Sequence, residues 1–149
     1  MRKGRSKVFA IDPGTRQMGV ALLEGGKLLY HGVKTFRREP EPHKALEAGR
    51  KAVPRLIDDF RPDVLVVEKA FFANNRNTAL LNVLVDEIRA LAMRKRLKVL
   101  GFAPSTVKKA ICGNGRASKA EVARVVVLRY PERYPELKVV PPLICWTRS

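Results

Sequence analysis

Two acidic residues stand where a buried strand would not be expected to place them. In VFAIDPGT, residues 8–15, an apolar run ends on Asp12 before a Pro-Gly turn. In DVLVVEKAFF, residues 63–72, a second run ends on Glu68, with Lys69 beside it and two phenylalanines just after. Short β-branched apolar runs are the mark of strands buried on both faces of a sheet. Taken singly, Asp12 reads as a cap on its own turn, and Glu68 as a partner of Lys69 or a cap on the next helix. Taken together they mean something else. Two carboxylates at neighbouring strand ends repel unless one is protonated, a basic side chain intervenes or a cation sits between them. Magnesium prefers oxygen ligands and commonly takes one or two protein carboxylates, with water and phosphate completing its shell. On a basic domain such a site suggests metal-assisted phosphodiester hydrolysis.

Charge points the same way. Thirty Lys and Arg face fourteen Asp and Glu, a net charge of +16 on 149 residues. A thermophile-type surface usually balances its two signs, so this excess reads as a field for a polyanion, most commonly nucleic acid. A hydrophobic fraction of 46% suits one globular domain with a real core. No apolar run is long enough for a membrane span, and the one behind the basic N-terminus is too short for a signal peptide. The expectation is a cytoplasmic protein with no membrane partner. Cys112 and Cys145 lack zinc-ligand spacing and form no disulfide framework, and His31 and His43 are too few for a histidine-rich metal site.

The elements that must position the acids follow from pattern. Lys7–Asp12, Met18–Leu23 and Lys27–Phe36 read as an antiparallel meander turned by Pro13-Gly14-Thr15 and Gly25-Gly26. Leu46, Val53, Leu56, Ile57 and Phe60 recur at helical spacing over 44–60, with Pro54 predicting a kink or break near Val53. Val64–Glu68 is the fourth strand. Thr78–Leu97 is a helix with a stripe of Leu80, Leu84, Ile88 and Leu91, and residues 97–102 are the fifth strand. A short helix opens at Pro104, and Ser118-Lys119-Ala120-Glu121 is a capping box before another. A right-handed crossover returns strand four beside strand one and parallel to it, with both C-terminal ends at one rim. In open α/β sheets ligands bind at that rim. The Asp-Pro-Gly-Thr turn also suits the phosphate hairpin of actin-like ATPases, but those need two such domains and this chain has room for one.

The segments IDPGTRQMGVALLE (11–24), RPDVLVVEKAFFANNRNTAL (61–80) and APSTVKKAICGNGRASKAEV (103–122) resemble the RuvC Holliday-junction resolvases in order and spacing. The resemblance covers roughly residues 8 to 128. It implies a ribonuclease H-like α/β fold: a five-stranded mixed sheet, three antiparallel strands then parallel ones, flanked by helices. It also implies a homodimeric, Mg2+-dependent endonuclease (Mn2+ being an alternative ion) that nicks four-way DNA junctions in recombination and repair, alongside a branch-migration helicase. Asp12 and Glu68 fall on the family's first two metal-binding acids. Phe71 matches an aromatic used against bases at the junction centre, where unstacked bases offer π-faces. Lys108 and Lys119 match lysines near the scissile strand, Lys119 with a catalytic role. Gly113, Gly115 and Arg116 look like a backbone-approach loop at a helix N-terminus, a natural phosphate site. Part of the Thr78–Leu97 helix is implied to form the dimer interface.

One departure is plain. The family's C-terminal Asp-x-x-Asp helix is absent. Pro131, Pro135, Pro141 and Pro142 exclude a regular helix over 131–142, so the single domain, 1–149, is expected to carry an irregular tail from about residue 129. The remaining acids there are Glu132 and Glu136, Glu121 being explained by capping. Three readings follow: a shortened or frameshifted end, a divergent member recruiting Glu132 or Glu136, or a binding-only relative. The first is preferred. A YqgF-like nuclease acting on RNA is the other enzymatic alternative.

Overall fold

The computed structural model describes residues 4–69 and 76–133. The chain divides into two compact units, Met1–Phe102 and Ala103–Ser149. Unit one is a five-stranded sheet in the order β3-β2-β1-β4-β5. Its strands are β1 (Lys7–Asp12), β2 (Gln17–Glu24), β3 (Lys27–Thr35), β4 (Val64–Glu68) and β5 (Lys98–Phe102). The meander is antiparallel, and β4 lies parallel to both β1 and β5. The crossover expectation holds.

Helices α1 (Pro42–Phe60) and α2 (Arg76–Arg94) connect the parallel strands. They cover one sheet face, because Leu46, Val53, Leu56, Ile57, Leu84, Val85 and Ile88 join Phe9, Ile11, Leu65 and Val67 in one core. The α2 stripe is thus largely used inside the subunit, Leu84 and Ile88 being 1% and 2% exposed. Pro54 neither ends nor breaks α1. Proline cannot donate to the carbonyl four residues back, but the buried residues either side, Val53 and Leu56, hold the turn by packing.

Helix α2 begins two residues before the predicted start and stops three residues before the predicted end. Its stop is a Schellman motif: Arg96 adopts φ 60°, its N–H reaches the Met93 carbonyl, and the Leu97 N–H reaches that of Ala92. Glycine usually fills that position, so composition gave no warning. Across the solvent side Arg50 grips the Glu87 carboxylate with two bonds, of 2.6 and 2.8 Å, tying α1 to α2. Hydrogen bonding from Arg50 lowers the Glu87 pKa below its ordinary value.

Unit two holds α3 (Pro104–Cys112) and α4 (Lys119–Arg129), then a 3-10 turn over Pro131–Arg133. The predicted capping box is present: Ser118 Oγ accepts from the Glu121 N–H at 3.2 Å, and the Ser118 N–H donates to Glu121 Oε2 at 2.6 Å. Ser118→Ala should cost about 1 kcal/mol in urea unfolding at pH 7. The bonds from Ser118 lower the Glu121 pKa. A lowered carboxyl pKa contributes stability above its unfolded value and loses it as pH falls through the folded value. Both the cap and the α1–α2 clasp should therefore loosen as pH falls below the ordinary glutamate value of 4.5. The penalty for Ser118→Ala should then be smaller at pH 3 than at pH 7.

Candidate active site

The sheet register brings the two acids together. Ile11 lies beside Val67 in the parallel β1–β4 pair, so one step further along both strands sets Asp12 alongside Glu68. Parity gives them a common face. Phe9, Ile11, Leu65 and Val67 point into the helix-covered core, so Asp12 and Glu68 take the opposite face. Asp12 is exposed and Glu68 partly so.

The same row runs across the whole sheet. Asp12 pairs with Gly19 of β2, Gly19 with Val33 of β3, and Glu68 with Phe102 of β5. Val33 and Phe102 are 50% and 39% exposed, apolar ends to a row with two carboxylates at its centre. Gly19 is a residue that sequence reasoning passed over. A Cβ built there would meet only the Asp12 Cβ, at 3.5 Å, an ordinary contact, so neither backbone nor packing demands glycine. A glycine inside a strand commonly marks close approach by a ligand, and the MGV within β2 was the available signal. Its missing side chain keeps the β2 flank of Asp12 open.

Gly14 is required for another reason. A Cβ at that position would collide with the Gln17 carbonyl oxygen, which is backbone and cannot swing away. Gly14→Ala should therefore displace the turn that follows Asp12. The expected cost is about 1–3 kcal/mol of stability, together with loss of any divalent-ion effect on the melting temperature. Thermal scans with and without Mn2+ check both.

Two carboxylates are hard oxygen donors, the chemistry that magnesium or manganese selects, and they leave coordination positions for water and phosphate. Among the described residues no group of three or more acidic, histidine or cysteine side chains is placed to hold a metal. The pair fits an ion that takes few protein ligands.

The other expected site residues fall as follows. Lys108 lies in α3, Lys119 is the first residue of α4, and Arg116 sits in the loop between. Phe71 and Phe72 lie outside the described residues, as do Glu136 and Cys145. Gly113 takes φ 75° and ends α3, while a Cβ on Gly115 would stand 3.2 Å from the Ser105 carbonyl oxygen. The two glycines thus serve a helix cap and a close approach to α3's own backbone. The Asn114 side chain accepts from the Arg116 N–H at 2.9 Å, and the Glu121 carboxylate occupies the N-terminus of α4. That cap is the one the Ser118–Glu121 spacing predicted.

Comparison with known proteins bears on this arrangement. The chain is 37% identical over 127 residues to the crossover junction endodeoxyribonuclease RuvC of Mycolicibacterium vanbaalenii, covering 80% of this chain and 65% of that protein. It thus spans a little under two thirds of that relative's length. Its structure is similar to that of Thermus thermophilus RuvC in complex with a Holliday junction substrate, with a TM-score of 0.69 and 25% identity over 83% of this chain and 79% of that one. The yeast mitochondrial Holliday junction resolvase shares the fold at 14% identity, with a TM-score of 0.65 over 83% of this chain and 62% of that one. These likenesses, with the observed strand order, make the fold ribonuclease H-like. The family description "Crossover junction endodeoxyribonuclease RuvC" matches residues 8–130. On sequence, strand order and structure alike, the chain belongs to the RuvC family.

Proposed function

We propose that this protein is a junction-directed endonuclease, built to hydrolyse DNA phosphodiesters at four-way branches. The observation that carries the reading is the β1–β4 register, which sets Asp12 beside Glu68 on the sheet face away from α1 and α2. Asp12 and Glu68 are the residues to hold Mg2+ or Mn2+, which when bound supplies Lewis-acid charge for water activation and leaving-oxygen stabilisation. Gly19 keeps the approach to Asp12 clear. Lys119 supports the scissile phosphate with a point positive charge, and Lys108 and Arg116 contact the neighbouring backbone. Phe71 stacks on an unpaired base at the crossover. In this reading the chain works as one nuclease domain and acts as a homodimer, so that two strands are nicked.

With two family acids and no Asp-x-x-Asp helix, cutting by this chain is expected to be weak while junction binding is retained. The test is a synthetic four-way junction incubated with the protein and Mg2+ or Mn2+, with duplex DNA and structured RNA as competitors. The reading expects preferential junction binding and slow, metal-dependent nicks. A scaffold protein would bind but never nick, even with a family-type C-terminal helix restored. Stronger binding to structured RNA would favour an RNA nuclease.

A further inference from the structure

Arg89 is an anomaly in the core-facing half of α2. It neighbours the buried Ile88, and a Cβ on Gly101 of β5 would collide with its Nη2. Gly101 pairs with Val67, so the guanidinium lies on the helix-covered face, just inside the strand ends that carry Glu68 and Phe102. Its Nε is buried with no hydrogen-bond partner. The stem of Lys69 approaches the same spot, its Cγ and Cε lying 3.2 and 3.3 Å from the position a Gly101 Cβ would take. Among the described residues no carboxylate forms a salt bridge with Arg89 or Lys69.

A stabilising role within the subunit would require an acceptor for that guanidinium. Buried donors are almost always satisfied, and a partly buried cation without a counter-charge opposes folding. The Lys69 stem brings a second cationic side chain to the same rim. Gly101 has no left-handed backbone to accommodate, so its lack of a side chain matters as space for Arg89. An unused donor, a neighbouring ammonium stem and a glycine that admits both call for an anion from outside.

We infer that Arg89 and Lys69 form a phosphate-binding pair at the β4–β5 rim, on the sheet face opposite Asp12 and Glu68, and that its ligand is a backbone phosphate of DNA. Guanidinium groups pair with phosphate oxygens through more than one N–H, and Arg89 as a whole residue is only partly buried. The inference rests on the DNA-binding reading above and adds a contact that none of Phe71, Lys108, Arg116 or Lys119 supplies.

The test compares wild type with Arg89→Met, Lys69→Met, Gly101→Ala and Arg89→Lys by fluorescence anisotropy on duplex DNA over a salt series, each with a melting curve. Losing one phosphate contact should reduce the magnitude of the log K against log salt slope by about 0.9 and weaken low-salt affinity by roughly tenfold. Arg89→Met should show this without a fall in melting temperature, since it removes an unsatisfied buried donor and keeps much of the volume. Lys69→Met should show the same slope change. Gly101→Ala should reproduce it with Arg89 still present, and Arg89→Lys should restore the slope in part. An unchanged slope in Arg89→Met, or a lower melting temperature with unaltered DNA affinity, would overturn the proposal and leave Arg89 a packing residue. Because the slope is read on duplex DNA, failure to prefer junctions would count against the function proposed above without touching this pair.

Discussion

Asp12→Asn should lower metal-dependent nicking of a four-way junction by orders of magnitude and leave DNA binding intact. The side chain keeps its size and one oxygen but loses the charge that attracts a divalent ion. Losing that electrostatic contribution should lower single-turnover nicking by about 100- to 1,000-fold, equivalent to roughly 3–4 kcal/mol in the barrier. Because the parent is expected to cut slowly, the measurement belongs under enzyme excess with Mn2+, followed by gel analysis of nicked arms. A second readout does not depend on turnover. An ion that binds only the folded state stabilises it by about 2.7 kcal/mol at one hundred times its dissociation constant. That Mn2+-dependent rise in melting temperature should be present in the parent and absent in Asp12→Asn. Nicking by the Asn variant at the parental rate would remove Asp12 from the mechanism.

Junction affinity should collapse with salt. The chain carries +16, and each phosphate neutralised releases condensed counterions. If six to ten phosphates are engaged, affinity should fall by about 10³- to 10⁵-fold between 50 and 200 mM monovalent salt. A titration by anisotropy at several salt concentrations, with the divalent ion withheld, gives the slope directly. A shallow response, corresponding to about one phosphate, would mean that the charge excess lies outside the DNA interface. The two experiments separate affinity from chemistry: salt acts on the first, and Asp12→Asn on the second.

The core of this arrangement was legible because strong local signals agreed with a topological rule. Two apolar runs ending in acids, a helix between them and the right-handed crossover were enough to place Asp12 beside Glu68 before any coordinates. The failures have physical causes. Pro54 argued for a kink or break in α1, and α1 is not broken there: Val53, Leu56 and Ile57 are all core residues, and packing outweighed the lost hydrogen bond. Arg96 ends α2 in a conformation that glycine normally provides, so nothing in its residue type announced the stop. Gly113 caps α3 and Gly115 approaches its backbone, uses that sequence alone does not distinguish from admitting a ligand. Arg89 was overlooked for a similar reason. One charged residue beside an apolar stripe reads as the polar edge of a helix, and only the glycine opposite, on β5, shows the guanidinium turned inward.

The crossover between β1 and β4 also bears on folding. The meander can pair through short turns, whereas β4 reaches β1 only after α1 has traversed the sheet, and contacts that close long loops form more slowly. A nascent or partly melted copy that has made only its hairpins displays Asp12 without Glu68. Its positive charge, by contrast, is present in every conformation the chain adopts. On the proposed function, such a copy would cling to DNA yet lack the paired carboxylates needed to cut it, so incomplete folding would yield a blocker of the junction and not a stray nuclease.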